Sequence, residues 1–403
     1  MSEKAVVSVV RCLDYEPEKV SQAVKTALEL IGGIDSKLIS GKRVLLKPNC
    51  LDSSHPDRGV TTHPEIFRAA AVELKKSGAL LFYGDSPALD SPSRALKASG
   101  FEQAAKDLGI HASDFYTPVE ISSPNGKIIK KFNVTKAVKD ADFVVSLPKL
   151  KTHSQTYFTG ALKNMFGIIP GLRKAEYHFK LPDTGHFSQM LVDLYSAAKP
   201  FLSIMDAVTG MEGAGPKSGR LRDIGLIIAG FDGVAVDSVA CSIIGLNPMD
   251  VPTIKLADEQ GVGVGQPANI EVAGESLENV KVKYFDIVKP APDVRFLGEW
   301  LSHKVKNFVT KKPVIDGILC SSCYACINIC PSLPKSICAK SRSPEAQERK
   351  PPEIDYKSCI RCYCCQEVCP KGAIKLKRNF FAEILVFLYN FLYKKISFKI
   401  FKI

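Results

Sequence analysis

Eight cysteines in two matching runs constrain this chain more than any other feature. Cys320-x2-Cys323-x2-Cys326-x3-Cys330-Pro331 is followed by Cys359-x2-Cys362-x2-Cys365-x3-Cys369-Pro370. Spacings of two, two and three residues let three thiolates of one loop hold neighbouring irons of a cubane, while the fourth turns towards a second cluster. The pattern therefore predicts two 4Fe-4S clusters. One is expected on Cys320, Cys323, Cys326 and Cys369, the other on Cys359, Cys362, Cys365 and Cys330. A structural zinc site needs four thiolates but neither the third closely spaced Cys nor the trailing Pro, and a disulfide framework needs an oxidising compartment.

The remaining composition is that of an ordinary globular protein. Its 403 residues, 45% hydrophobic and 24% charged, suffice for one large core and a small appended domain. Of thirteen Cys, only Cys12, Cys50 and Cys241 precede the two runs, and these read as small buried hydrophobes. Cys338 and Cys364 read as bystander thiols. The opening MSEKAVVSVV lacks the basic stretch, apolar run and cleavage site of an export signal, so a reducing cytoplasmic location is expected.

Charge is unevenly placed along the chain. The formal net charge is +12, yet residues 371–403 alone carry eight basic residues and one acid, Glu383. Within that stretch FFAEILVFLYNFLY, residues 380–393, is shorter than the roughly 20 apolar residues a membrane-spanning helix requires. Glu383, Asn390, Lys394 and Ser397 would form a narrow polar stripe on an otherwise apolar helix. An anionic membrane surface, bound peripherally on its inner face through residues 380–403, is the expected partner, with docking on the protein itself or on a subunit as the alternative. Because the basic excess sits in an apolar tail rather than on a mixed aromatic surface, nucleic acid is not an expected partner.

Residues 1–288 alternate short β-branched runs with helical patterns. This is the mark of an α/β fold with a mainly parallel sheet and helices on both faces. Strands are expected at 5–10, 43–47, 79–83, 142–147, 201–205, 224–228 and 270–273, and helices at 18–31, 64–76, 92–108, 188–198 and 234–244. A Pro-containing linker, 289–314, leads to a small α+β ferredoxin-type domain, 315–378, and then to a terminal amphipathic helix, 379–403. Between the Cys runs, residues 331–358 read as an exposed loop.

Ligands of open α/β sheets bind beyond the carboxyl ends of strands, which directs attention to the polar residues there. Lys47 and Asn49 follow one expected strand, Asp85 and Ser86 a second, Lys149, Lys151 and His153 a third, and Asp206 a fourth. Several lysines at one crevice would repel each other without an anion among them, so a carboxylate- or phosphate-bearing small molecule is expected as ligand. TGALKNMFGIIPG places Lys163 and Asn164 between glycines in a binding loop. Residues 210–219 hold Glu212 and Lys217 among four glycines; Pro216 breaks the Walker A pattern, and backbone N–H groups there suit an anion. Asp206 and Glu212 are the candidates for acid-base work and Lys163 for an electrophilic or nucleophilic role. His153, His178, His186 and Asp183 offer metal-ligand chemistry, but their spacing matches no zinc motif.

KPN at 47–49, TTHPE at 61–65, GDSP at 84–87, PKLKTH at 148–153, TGALKNMFG at 159–167 and DGVAVDSVA at 232–240 together resemble the domain of unknown function 362 family. Members of that family are often joined to a 4Fe-4S ferredoxin domain, which implies an iron–sulfur protein whose reaction the resemblance does not supply. The lysine loop is also distantly similar to that of nickel-pincer lactate racemases, without the serine-glycine-glycine-proline that precedes their lysine. Three readings follow: an iron–sulfur oxidoreductase supplied by a redox partner protein, a non-enzymatic electron carrier or assembly factor, and a non-redox racemase-like enzyme. The ligand assignment predicts that Cys326→Ala halves the iron and sulfide content of anaerobically purified protein whereas Cys364→Ala leaves it unchanged; full iron in the first variant would overturn it.

Overall fold

A computed structural model describes residues 4–287, 308–339 and 350–388. It divides into two compact units, Met1–Val288 and Lys289–Ile403. In the first, the strands are β1 (Ala5–Arg11), β2 (Arg43–Pro48), β3 (Leu80–Tyr83), β4 (His111–Ala112), β5 (Pro118–Ser122), β6 (Lys131–Thr135), β7 (Phe143–Leu147), β8 (Lys149–His153), β9 (Tyr157–Thr159), β10 (Leu202–Glu212), β11 (Arg220–Gly230) and β12 (Ile270–Gly274). The main sheet runs β12-β1-β11-β10-β7-β2-β3-β4, with β8 added beside β10 and β9 beside β8, while β5 and β6 form a separate hairpin.

Most neighbours are parallel. The exceptions are β1 with β11, β8 with β9, and the long β10–β11 hairpin. Side chains alternate along the central strands between two cores, so Leu45 joins one and Val44 and Leu46 the other. One core is closed by helices Thr184–Ala198, Gly233–Ile243 and Pro252–Glu259, and the opposite one by Pro17–Leu30, Pro64–Lys76 and Phe101–Asp107. The two-sided α/β fold expected from the alternating pattern is thus observed.

Two local expectations change. The pattern over 92–108 is two helices, Pro92–Ala98 and Phe101–Asp107, because Gly100 takes a left-handed φ of 79° that ends the first. Lys149–His153 is a strand rather than a strand-end loop, since Pro148 interrupts the ladder and KLKTH resumes it against β10. Asp232 caps the helix Gly233–Ile243, accepting from the N–H groups of Val234 and Ala235.

The second unit is built as two similar halves. Strands β13 (Lys312–Ile315), β14 (Ile337–Cys338), β15 (Glu353–Ile354) and β16 (Ile374–Lys377) pair antiparallel as β13–β16 and β14–β15, and each Cys run ends in a five-residue helix, Ala325–Ile329 or Cys364–Val368. β13 straddles the expected end of the linker, whose residues 288–307 lie outside the described ones, as do 340–349 of the long loop. Residues 380–388 are helical; Ala382 and Val386 are buried while Phe380, Phe381, Ile384, Leu385, Phe387 and Leu388 are exposed. Of the expected polar stripe only Glu383 falls among the described residues, and it pairs with Arg378 at 3.1 Å. Among the described residues no helix is long and apolar enough to cross a membrane.

Candidate functional site

In the α/β unit the strand ends converge on two buried ion pairs. Lys47, fully buried on β2, meets Asp85 at 2.8 Å, and Lys149 meets Asp206 at 2.8 Å with both side chains at most 1% exposed. Around the first pair, Asn164 Oδ1 accepts from Lys47 Nζ at 3.1 Å and from Asn49 Nδ2 at 3.4 Å. Asn49 Oδ1 in turn accepts from Lys151 Nζ at 2.7 Å, and Lys151 also donates to the Val60 carbonyl. The free lone pairs of Asp85 take the N–H groups of Cys50 and Ser86. Burial pulls both lysines below their ordinary pKa, while Asp85 and Asp206 act to keep them protonated.

Around the second pair, Asp206 accepts from the Tyr15 hydroxyl at 2.9 Å and from the His63 backbone N–H at 2.9 Å. Tyr15 lies flat on the His63 ring, 3.8 Å between centroids, and its oxygen accepts from Lys149 Nζ at 2.6 Å. Burial lowers the His63 pKa to about 4, so its imidazole is neutral at pH 7. Desolvation, with Asp206 beside it, pushes the Tyr15 phenol well above its usual value. Neither residue stood out in the sequence: Tyr15 has no motif around it, and His63 sits in TTHPE, where it also caps the helix Pro64–Lys76 through Nδ1.

Two glycines leave room for this network. A Cβ on Gly167 would lie 2.1 Å from Asp85 Oδ1 and 2.5 Å from Lys47 Nζ, and one on Gly160 would lie 2.0 Å from Asp237 Oδ1. Asp237 holds the turn that carries Lys163 and Asn164, accepting from the N–H groups of Ala161 and Leu162 at 2.6 and 3.1 Å. Its carboxyl is nevertheless raised to about 7 by burial.

The lysines are not the mutually repelling group expected from the sequence, because Lys47 and Lys149 carry their own carboxylates. Their presence alone therefore gives no ground for a bound anion. Lys174, near Asp85, Lys47 and Lys163, differs from both paired lysines. Lys174 donates to the carbonyls of Ser86 and Ile169, and its amine is lowered to about 7 by burial, opposed by Asp85 and reinforced by Lys47 and Lys163. Lys163 lies 5.7 Å from the Phe166 ring centroid. Ser86 acts as a latch, its Oγ accepting from Gly171 N–H.

Glu212 is not brought to this network. Six residues beyond Asp206 on β10, roughly 20 Å along a strand, it pairs with Arg220 at 3.1 Å and accepts from Asp286 N–H. The glycine segment around it is the β10–β11 turn, in which Lys217 pairs with Asp52. His153 is fully buried, its Nδ1 accepting from the Gln155 and Thr156 N–H groups, while His178 stacks on Phe187 and His186 pairs with Asp183. Among the described residues no three His, Cys, Asp or Glu side chains are grouped to hold a single metal ion.

The second unit assembles its sulfurs across the two runs. Cys320, Cys323, Cys326 and Cys369 line one concavity, floored by Ile315 and Ile374. Burial raises the Cys326 thiol to about 11, with Cys369, Cys320 and Cys323 adding to the shift. Cys365 is raised well above the ordinary thiol value by burial, then by Cys362, Cys359, Cys326 and Cys330. Sulfurs of the two runs thus lie together: Cys369 joins Cys320, Cys323 and Cys326, and both Cys326 and Cys330 lie near Cys365. Ser322, Tyr324, Arg361 and Tyr363 all have φ between 50° and 64°, a left-handed wrap repeated at equivalent positions in both runs. Arg361 lies against Cys359 and hydrogen-bonds it, and its Nη2 donates to the Tyr356 carbonyl at 3.5 Å. Cysteines gathered from both runs, with a guanidinium against Cys359, fit an anionic iron–sulfur cluster that takes thiolates as ligands.

Residues 44–242 match a domain of unknown function, DUF362, and residues 312–370 match a 4Fe-4S dicluster domain. A thylakoid-associated protein of Synechocystis sp. is 35% identical over 257 residues, covering 64% of this chain and 79% of the relative. The chain belongs to the DUF362 family. The matched residues 44–242 fall in the α/β unit just described, and the chain carries 4Fe-4S clusters in a ferredoxin-type domain. Among solved structures, the lactate racemase apoprotein of Thermoanaerobacterium thermosaccharolyticum is 14% identical with a TM-score of 0.38, covering 57% of this chain and 54% of that one. A Thermotoga maritima protein is 14% identical with a TM-score of 0.31, covering 54% and 56%. The chain spans little more than half the length of either structure.

Removing one partner of a buried pair strands the other charge. Lys149→Met is expected to destabilise the α/β unit by about 3–5 kcal/mol, and Lys149→Met/Asp206→Asn to recover most of that loss, read from denaturant midpoints. Equal losses in the two variants would show that the pair is not coupled.

Proposed function

We propose that this DUF362 protein is an iron–sulfur electron-transfer protein, and more specifically a redox enzyme whose α/β unit holds an anionic substrate. The observation that supports the first part is the gathering of sulfurs from both runs, with Cys369 in the concavity of Cys320, Cys323 and Cys326, and with Cys326 and Cys330 near Cys365. When bound, the two clusters supply one-electron chemistry. The eight cysteines would hold them, and the left-handed turns aim the sulfurs inward.

Support for the second part comes from Lys174, whose amine lies near Asp85, Lys47 and Lys163 and, lowered to about 7, can take up a proton when an anion arrives. Lys47, Asn49, Lys151 and Asn164 would orient a ligand; Asp206, with Tyr15 and Lys149, would hold a proton at the Tyr15 oxygen. Fusion of the units raises the effective concentration of electron donor at acceptor without requiring affinity between separate proteins. One observation favours the carrier reading instead. The two buried pairs are self-neutralised, so the unit needs no ligand to be stable and could serve to recognise a redox partner protein.

Iron and sulfide counting on anaerobically purified protein, with EPR on reduction in the presence and absence of pooled anionic metabolites, separates these readings. About eight irons and a metabolite-sensitive spectrum are the expected result. About eight irons with an indifferent spectrum would leave a carrier, and about four or fewer after reconstitution would remove the two-cluster basis.

We further propose peripheral attachment to an anionic bilayer through residues 380–403. Six exposed apolar side chains on the helix 380–388, the basic sequence that follows, and the thylakoid association of the Synechocystis relative support it. Full-length protein should sediment with phosphatidylglycerol-containing vesicles and release at high salt, and Phe380→Ser/Phe381→Ser/Leu385→Ser should bind several-fold more weakly. Equal recovery with purely zwitterionic vesicles would exclude the electrostatic contribution.

A further inference from the structure

The two halves of the iron–sulfur unit repeat each other closely enough for their differences to be informative. Ser322 and Arg361 occupy equivalent positions with φ of 50° and 59°, Tyr324 and Tyr363 with 62° and 64°. Cys320 N–H bonds the Asp316 carbonyl as Cys359 N–H bonds that of Asp355, and Asp316 and Asp355 each cap their own turn with Oδ1. By this correspondence Ala325 matches Cys364 and Asn328 matches Glu367.

Three side chains therefore surround the set of Cys359, Cys362, Cys365 and Cys330 that have no counterpart around its twin. Arg361 lies against Cys359 and hydrogen-bonds it, with its guanidinium 5.3 Å over the Tyr356 ring and Nη2 donating to the Tyr356 carbonyl at 3.5 Å. Cys364, 5% exposed, hydrogen-bonds the Cys362 sulfur. Glu367 places a carboxylate near the same two sulfurs. On the twin set, Ala373 N–H donates to Cys369 Sγ at 3.2 Å.

Reduction adds one negative charge to a cluster, so a nearby cation or a hydrogen bond to a ligand sulfur favours it and a nearby carboxylate opposes it. We infer that Arg361 and Cys364 raise the reduction potential of the cluster held by Cys359, Cys362, Cys365 and Cys330, that Glu367 lowers it, and that none of the three acts appreciably on the other cluster. These are positioning residues for charge. A single electron from a one-electron donor reduces one cluster by one unit and oxidises the donor by one, with no bond made or broken. What the three side chains decide is where that electron rests.

The inference relies on the two-cluster reading, and an iron count tests that reading separately. Each variant takes the residue its twin position already carries in the same backbone conformation, so folding is preserved. In an EPR-monitored redox titration of the full chain with dithionite, Arg361→Ser and Cys364→Ala should each move one of the two reduction steps to lower potential, and Glu367→Asn should move that same step upward. The reciprocal Ser322→Arg should raise the other step alone. With about eight irons retained, an unmoved step in Arg361→Ser, or two steps moving together, would overturn the inference. Should Arg361→Ser lose iron, Ser322→Arg decides it: no upward shift there overturns it equally.

Discussion

A lysine or aspartate buried beside a strand must find an opposite charge or give up its own, and the α/β unit is arranged around that requirement. Lys149 and Asp206 are register partners on adjacent parallel strands, while Lys47 lies near the end of β2 and Asp85 follows the end of the neighbouring parallel strand β3, so the sheet itself brings the partners together. Everything else in the network follows from using up the remaining valences. Asn164 and Asn49 accept from the lysines, backbone N–H groups cap the carboxylates, and Gly167 leaves the space in which Lys47 meets Asp85. Such an arrangement is weak evidence for stability, since apolar residues would avoid the desolvation cost altogether. It is stronger evidence of a preorganised polar site.

The iron–sulfur unit answers a related constraint by different means. Burial, with neighbouring sulfurs adding to it, makes the Cys326 and Cys365 thiols resist ionisation. Left-handed φ at four non-glycine residues is also unfavourable. Both costs are understandable where metal–thiolate bonds offset them, because metal binding and folding are linked. The small apolar set of Ile315, Ile337, Ile354 and Ile374 packs against the cysteines rather than forming an independent core.

Legibility differed between the units for a physical reason. Cluster ligation constrains spacing along the chain, so eight residues could be read directly, and the motif residues at strand ends could be placed because a sheet brings successive strand ends together. What escaped was pairing across long separations. Lys149 and Asp206 are 57 residues apart, and Tyr15 reaches Asp206 across 191. No local pattern marks such partners, so the lysines read as unpaired and an anion was inferred to relieve them. Glu212 misled for the opposite reason: its glycine-rich surroundings look like a binding loop, yet the glycines serve the tight β10–β11 turn. KLKTH lay hidden as a strand because its two lysines occupy buried positions that normally hold apolar side chains.

Self-neutralisation of the lysine–aspartate pairs bears on what the α/β unit can do. A site that keeps its own counter-ions can exchange a proton or hydrogen-bond a ligand without first recruiting an anion, and the reorganisation needed on binding is small. Lys174 is the exception, since its amine meets carbonyl oxygens rather than a carboxylate and is lowered to about 7. Its charge therefore varies near neutral pH while those of Lys47 and Lys149 remain tied to Asp85 and Asp206. An anion arriving beside Lys174 would favour the protonated amine, so ligand binding and proton uptake would be coupled there. Electron delivery to a bound anion requires the same compensation: each added negative charge must be met by a proton or a cation, and Lys174 can acquire one by protonation.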